Sequence, residues 1–244
     1  ILILNGLVLD YSTLLVNKDL VTSLQITAPT GVLYSYFIDP GENAVIPFTE
    51  GNGDYTVVGY QQIQGDQYAA LYSEILTVEL ENDFLPFLYP NQYVNFSPDS
   101  EASKLALSMV SEDTADVDAL KQIYNYVVNN LTYDYDKAET VETGYLPDVD
   151  ETLSTKTGIC FDYAALTTAM LRSCDIPCKL QIGYTGDIKH AWIDVYIRSK
   201  GWVTGAVSFN GDSWSLMDPT FDSSADSDDT EALQDYIGNA DNYT

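Results

Sequence analysis

The first part of the chain contains short runs in which hydrophobic and polar residues alternate, as they do in half-buried β-strands. These runs cover residues 20–26, 32–38, 55–61 and 75–80. Turn signals rich in Gly, Pro, Asn and Asp separate them at residues 28–31, 39–42 and 50–54. Strands and turns at this spacing predict a small all-β, sandwich-like domain over residues 1–94.

A proline-rich connection over residues 86–98 leads into a segment with helical periodicity. Apolar residues recur there at steps of three and four, which predicts amphipathic helices over about residues 100–110 and 117–131. The helical spacing of apolar residues ends after the second of these segments. Residues 138–155 are predicted to form a polar loop, of the kind that often borders a binding cleft.

A third helix is predicted from Cys160 to about Ser173, with apolar residues on nearly every side, so it should be buried. Pro177 follows its end, because proline cannot continue a helix. Four β-type runs come next, at residues 179–184, 191–197, 201–208 and 214–217, before an acidic loop (222–230) and a short helix (231–237). This order predicts an α+β domain over residues 95–244, with helices packed on an antiparallel sheet.

The charge of the chain narrows its possible partners. The formal net charge is -27, from 37 acidic residues against 10 Lys plus Arg, which excludes binding to a phosphate backbone. No run approaches the roughly 18 apolar residues of a membrane-spanning segment. We interpret the acidity as a contribution to solubility, with attraction of basic substrates as the alternative.

The composition also bears on location. Few cysteines, together with many Asn, Thr, Asp and Tyr residues, favour a bacterial protein that is secreted or displayed at the cell surface. The first residue is Ile1 rather than Met, which is compatible with a removed signal peptide or anchor.

Three cysteines, Cys160, Cys174 and Cys178, cannot all pair within one molecule. A bond between Cys174 and Cys178 would close a very small loop, and we interpret both as buried structural thiols. Their spacing lacks the further ligands of a zinc site, so neither a metal nor another cofactor is predicted.

Cys160 has the sequence context of a nucleophile. It follows Thr157, Gly158 and Ile159 at the predicted beginning of a helix, where Gly158 would allow a close turn and Thr157 could cap the helix. Free N–H groups at a helix N-terminus favour a thiolate, and they can also stabilise the oxyanion of a tetrahedral intermediate.

Two further residues could complete a catalytic set. His190 is the only histidine of the chain and stands 30 residues after Cys160, and Asp218 follows 28 residues later. An imidazole could act as general base and then acid, and a carboxylate could hold its tautomer. Each residue alone also has an ordinary structural interpretation, His190 as a half-buried histidine and Asp218 as a turn residue before Pro219.

Three aromatic residues are weaker candidates for the site. Tyr133 and Tyr135 follow the second predicted helix, and Trp192 lies two residues after His190. The tyrosines are most simply packing residues, but either hydroxyl could bond the sulfur or line the oxyanion pocket together with Gly158. Trp192 is either a core residue or a cover over the charged imidazole.

Five blocks in this order resemble the transglutaminase-like superfamily: residues 131–135, 158–164, 171–178, 190–192 and 214–220. The resemblance covers about residues 100–221. It implies a papain-like core with a triad of Cys160, His190 and Asp218, in a family of cross-linking acyltransferases, peptidases, amidases and inactive members. Asp175 and Cys178 depart from residues common in the family, and no counterpart of the calcium sites of animal transglutaminases is found.

The sequence therefore supports two hypotheses of different classes. The first is an enzyme that attacks peptide or protein amides with Cys160 and passes through a thioester, with hydrolysis favoured and transfer to an amine possible. The alternative is a catalytically silent binding or scaffolding protein at the cell surface, which recognises its partner through the β domain.

Overall fold

A computed structural model gives the fold of residues 13–16, 22–38, 44–185, 188–203, 207–209 and 214–216. The chain consists of two compact units, Ile1–Gln92 and Tyr93–Thr244. Each unit has its own arrangement of helices and strands.

The first unit is built of antiparallel strands in two sheets. Strands β1 and β4 form one sheet, and the other has the order β3-β2-β5-β6. The strands are β1 (Thr13–Val16), β2 (Ser23–Thr27), β3 (Leu33–Phe37), β4 (Ala44–Pro47), β5 (Gly53–Gln64) and β6 (Gln67–Val78).

Alternating burial along these strands forms the core of the first unit. Leu24, Ile46 and Val57 are fully buried, while the residues beside them in each strand are more exposed. The four predicted strands fall on β2, β3, β5 and β6. The sequence pattern missed β1, β4 and the first half of β6, which is exposed on both faces and is held by its ladder to β5 rather than by a buried side.

The second unit combines helices with small sheets. Its helices are α1 (Glu101–Met109), α2 (Asp116–Asn130), α3 (Tyr135–Thr140), α4 (Val149–Thr155) and α5 (Cys160–Ser173). Its strands are β7 (Thr132–Tyr133), β8 (Thr157–Gly158), β9 (Cys178–Thr185), β10 (Ile188–Ile197), β11 (Gly201–Val203), β12 (Val207–Phe209) and β13 (Trp214–Leu216). The sheets are β11-β10-β9, β12-β13 and the parallel pair β7-β8. The predicted α+β class is confirmed.

Helix α5 is the centre of the second unit. Its residues from Asp162 to Arg172 are all buried, and the helix packs against α1, α2, α4, β9 and β10. The sequence predicted both its bounds and its burial, because a helix that is apolar on nearly every side must be covered on nearly every side.

The prediction of a polar loop over residues 138–155 is wrong, because α3 and α4 occupy much of this segment. An aspartate lies directly before each of these short helices, and its carboxylate caps the helix by accepting backbone N–H bonds. Asp134 accepts from the N–H of Lys137 at 2.9 Å, and Asp148 accepts from those of Asp150 and Glu151 at 3.0 and 2.9 Å. The polar composition hid helices that are stabilised at their ends rather than by an apolar face.

The last part of the second unit differs from the predicted series of β-type runs in one respect. The single run predicted at residues 201–208 contains two strands, β11 and β12, which pair with different neighbours, β10 and β13. The acidic loop at 222–230, the helix at 231–237 and Asp218 lie outside the described residues.

Candidate active site

Cys160 is the first residue of α5 and is half-buried. Ile159 before it has an extended backbone, and its carbonyl accepts the N–H of Tyr163 at 3.1 Å. The expected cap from Thr157 is not formed, since the Thr157 hydroxyl donates to the carbonyl of Thr155 at 3.3 Å. Instead Asp162, the third residue of the helix, accepts the N–H of Ile159 at 2.8 Å. This bond fixes the entry into the helix that carries the thiol.

Gly158 permits a close approach rather than a special turn. It lies in β8, is buried, and does not have a positive φ. A Cβ at this position would lie 2.6 Å from the Cβ of Asp162 and 3.1 Å from its Cγ. Only glycine therefore fits against Asp162 without displacing the beginning of α5.

The strand pair β7-β8 brings Tyr133 beside the segment that leads to Cys160. Tyr133 pairs with Gly158, and the N–H of Asp134 donates to the Gly158 carbonyl at 2.9 Å. The Tyr133 ring contacts that of Tyr135 at 4.9 Å between centroids, and Tyr135 is 62% exposed. Both predicted tyrosines thus lie on the chain next to the entry of α5.

His190 lies near the beginning of β10 and is buried, with 7% of its surface exposed. It pairs with Gly183 of β9. Because side chains alternate along a strand, His190 shares its face of β10 with Trp192, which is also 7% exposed. Ala191 and Ile193 occupy the opposite face and pack in the core that includes α5.

The other two cysteines are poorly suited to nucleophilic attack. Cys178 is fully buried, and its Sγ lies 3.4 Å from the hydroxyl oxygen of Thr168. Burial raises the pKa of the Cys178 thiol to about 12. Cys174 is half-buried rather than buried as expected, and burial and the neighbouring Asp175 raise its pKa to about 11. All three cysteines are free.

A charged cluster around the buried carboxylate of Asp162, in the same helical turn as Cys160, was not predicted from the sequence. Asp162 has no exposed surface, and its carboxylate accepts from the Lys137 ammonium at 2.8 Å and from the Tyr145 hydroxyl. Lys137 also donates to the Tyr145 oxygen at 2.7 Å. An acidic third residue of a helix is a visible capping signal, but nothing in the spacing pairs it with a lysine 25 residues earlier.

Comparison with known protein families identifies this part of the chain. Residues 103–205 match the family model of the transglutaminase-like superfamily. The resemblance that the sequence blocks indicated is confirmed over these residues, which are less than half of the chain.

Two relatives share stretches of the sequence. The uncharacterized protein YebA of Bacillus subtilis (strain 168) is 24% identical over 183 residues, which are 66% of this chain and 25% of that protein. The UPF0252 protein MJ1282 of Methanocaldococcus jannaschii is 40% identical over 62 residues, which are 23% of this chain and 18% of that protein. The matched part therefore spans a quarter or less of the length of these relatives.

Several solved structures are similar to this chain. The periplasmic domain of TgpA from Pseudomonas aeruginosa gives a TM-score of 0.45 at 15% identity and covers 91% of this chain and 92% of that one. A candidate cysteine protease from Cytophaga hutchinsonii gives a TM-score of 0.44 at 20% identity, and the match covers 85% of this chain and 64% of that one. Red sea bream transglutaminase gives a TM-score of 0.35 at 11% identity, and the match covers 88% of this chain and 48% of that one.

Two findings concern side-chain clusters and helix length in the described residues. This part of the chain contains no group of three or more His, Cys, Asp or Glu side chains that could hold a metal ion. None of the helices described above is long and apolar enough to cross a membrane.

Proposed function

We propose that this chain is a cysteine-dependent enzyme that acts on peptide or protein amides through a thioester on Cys160. The observation that carries the proposal is a half-buried thiol on the first residue of the central helix of a transglutaminase-like core. Free N–H groups of the first helical turn favour negative charge there, on the sulfur and then on the oxyanion.

The path of the chain supports His190 as the partner of Cys160. Residues 174–177 join α5 directly to β9, and the two elements pack together, so we take β9 to run back along the helix. Cys160 is about 20 Å from the end of α5 at the rise of a helix. Gly183 is about 17 Å from the beginning of β9 at the rise of a strand. Because His190 pairs with Gly183, this path would bring it to the same end of the unit as Cys160, and the proposal assumes that placement.

The strand alternation sets a condition on this proposal. His190 lies on the face of β10 away from the α5 core, so its ring must reach the thiol around the beginning of the strand. Asp218, outside the described residues, is proposed to orient the imidazole on the strength of the family resemblance alone.

The proposed reaction has two balanced halves. His190 takes the proton of the Cys160 thiol, the sulfur bonds to the amide carbonyl carbon, and the C–N bond breaks as His190 returns the proton to the leaving amine. Water then attacks the thioester with His190 as base, the C–S bond breaks, and the proton returns to the thiol. An amine in place of water would give transamidation. Gly158, Tyr133, Tyr135 and Trp192 are proposed to line the pocket around these atoms.

Alkylation by iodoacetamide, with each cysteine followed by peptide mass spectrometry, tests the proposal. Cys160 should react at least about tenfold faster than Cys174 and Cys178, because only a thiolate is nucleophilic. His190→Ala should slow labelling of Cys160, and Cys174→Ala should leave it unchanged. Slow and equal labelling of all three would overturn the enzyme proposal and favour a binding platform.

The fate of the thioester needs a second readout. We propose hydrolysis. With a glutamine peptide it predicts release of ammonia if the side-chain amide is cut, or of shorter peptides if a backbone amide is cut, in both cases without uptake of an added primary amine. Incorporation of the amine would identify a transglutaminase instead. Loss of either product in Cys160→Ala is the control. Location outside the cell or at its surface remains a prediction from composition.

A further inference from the structure

The charged cluster of Asp162, Lys137 and Tyr145 has no part in the reaction proposed above, although it lies beside the nucleophile. Asp162 is two residues after Cys160, and its carboxylate bonds the N–H of Ile159, directly before the thiol residue. A fully buried carboxylate is unfavourable unless it is paired and hydrogen-bonded. A cap at this position does not require a charge, since an amide or hydroxyl oxygen accepts the same N–H bond.

The cluster contains an ion pair between Lys137 and Asp162. Burial opposes the charge of Lys137, but its hydrogen bonds to Asp162 and Tyr145 outweigh this and raise the pKa of the ammonium. Burial and the bond to Asp162 raise the pKa of Tyr145 to about 12. At neutral pH the ammonium of Lys137 therefore stays charged and the phenol of Tyr145 stays neutral.

The cluster also ties another segment to the nucleophile helix. Lys137 belongs to α3 and Tyr145 to the stretch that follows it, and both bond the same carboxylate of α5. Phe161, next to Cys160, packs its ring against Tyr145 at 6.3 Å and against Tyr93 at 5.7 Å between centroids. Helix α3 and the stretch after it are thus held against the first turn of α5.

We propose that Lys137 is a positioning residue for Cys160: its ammonium cancels the negative charge of Asp162 beside the nucleophile and so preserves the favourable field of the helix N-terminus. This inference rests on the proposed function, since it concerns the readiness of the same thiol. Without Lys137, a carboxylate within the first helical turn would disfavour a thiolate on that turn.

Other titratable groups adjoin the beginning of α5. Outside the cluster, Tyr133 and Asp134 lie in and directly after β7, which pairs with β8, and Lys156 lies directly before β8. His190 is brought near Cys160 by the proposed function only. The test must therefore change the cluster alone and keep the rest constant.

The experiment measures the rate of Cys160 alkylation against pH in the full chain. In Lys137→Met the pH of half-maximal rate should rise by about one unit, because the carboxylate loses its counter-charge. In Asp162→Asn, which keeps an acceptor for the Ile159 N–H, the pH of half-maximal rate should fall. The double variant Lys137→Met/Asp162→Asn should return close to the wild-type value.

Arg198→Met is the matched control. This substitution also removes one cation and breaks an ion pair with a buried aspartate, Asp116. Arg198 directly follows the last residue of β10, whereas His190 lies near the beginning of that strand. Arg198→Met should leave the alkylation profile unchanged even if it lowers stability. If Lys137 has only a structural role, its replacement would lower stability. The pH of half-maximal alkylation rate would then not shift in opposite directions in Lys137→Met and Asp162→Asn.

The outcomes separate this inference from the proposed function. If Cys160 of the wild type is not alkylated preferentially, the proposed function fails. If Cys160 of the wild type is alkylated preferentially, but folded Lys137→Met or Lys137→Gln keeps the wild-type dependence of alkylation rate on pH, only the positioning role of Lys137 is overturned. Near-ultraviolet circular dichroism identifies the folded variants, and Lys137→Gln serves if the methionine variant does not fold.

Discussion

Gly158 and Asp162 are packed so closely that each restricts the other. The absent side chain of Gly158 leaves the space in which the Asp162 carboxylate reaches the Ile159 N–H. The same glycine pairs with Tyr133 through β7-β8. One small residue therefore allows both the strand pair and the buried carboxylate to lie beside Cys160.

Gly158→Ala should destabilise the second unit by about 2 kcal/mol, because the new methyl group meets the rigid Cβ of Asp162 rather than a flexible chain end. Urea unfolding followed by tryptophan fluorescence measures this. The same variant should also slow alkylation of Cys160, since the entry of α5 must shift.

Gly201→Ala is the control for this substitution. Gly201 has a positive φ of 86°, and nothing lies within 4 Å of its added Cβ, so its cost is backbone strain alone. It should lower stability without changing the alkylation rate. An equal effect of both variants on alkylation would refute the packing argument.

Single residues also show where sequence reasoning ends. Cys160 and its helix start are visible in the sequence, because a short segment with a glycine precedes an apolar run. Lys137 and Tyr145 are ordinary polar and aromatic residues in a stretch whose composition is typical of a loop. Their roles arise only where three separate segments meet at one carboxylate.

At the level of elements, an ion pair joins the beginning of α2 to the end of β10. Asp116, the first residue of α2, accepts the backbone N–H of Arg198 at 2.9 Å and also pairs with its guanidinium. The hydrogen bonds from Arg198 hold the pKa of the Asp116 carboxyl below its usual range. The pair connects a helix and a strand that are 82 residues apart in sequence.

This lowered pKa gives a pH dependence of defined sign. The contribution of Asp116 to stability is complete above its unfolded pKa, about 4, and is lost as the pH falls through the lowered folded value. The difference in urea midpoint between wild type and Asp116→Asn should therefore be greatest near neutrality and shrink as the pH falls below about 4.

Asp118→Asn provides the comparison, because Asp118 is exposed in the same first turn of α2. Asp118 makes none of the bonds to Arg198 described above, so Asp118→Asn should lower the urea midpoint at neutral pH less than Asp116→Asn does. A difference for Asp116→Asn that stays constant down to about pH 2 would show that the ion pair does not contribute as described.

For the whole molecule, the two compact units raise the question of whether they unfold together. All three tryptophans, Trp192, Trp202 and Trp214, belong to the second unit, whereas strands and tyrosines occur in both. Tryptophan fluorescence therefore reports on the second unit only, and far-ultraviolet circular dichroism reports on both.

We expect the urea transitions from these two probes not to coincide, since each unit has its own buried core. Leu24→Ala, at a fully buried position of β2, should weaken the first unit by about 2–5 kcal/mol and shift only the transition seen by circular dichroism. The tryptophan transition is its internal control. Coincident transitions that move together in Leu24→Ala would show a single cooperative unit.

The sequence by itself determined the α+β character of the second unit, the bounds of α5 and the position of Cys160 at its beginning. These follow from local periodicity and from the residues that start and stop a helix, which need no knowledge of distant contacts. The transglutaminase-like family was also readable from five short blocks. The α3 and α4 helices were not, because their stability comes from aspartate caps at their ends.

Only the tertiary structure decided which charges are buried beside the nucleophile and what neutralises them. The Asp162 carboxylate is compensated by Lys137 and Tyr145, which approach it from another segment, and Gly158 makes room for it. Such contacts depend on how separate elements pack. A pattern of hydrophobic and polar positions records which residues are buried, but not which partner each buried charge receives.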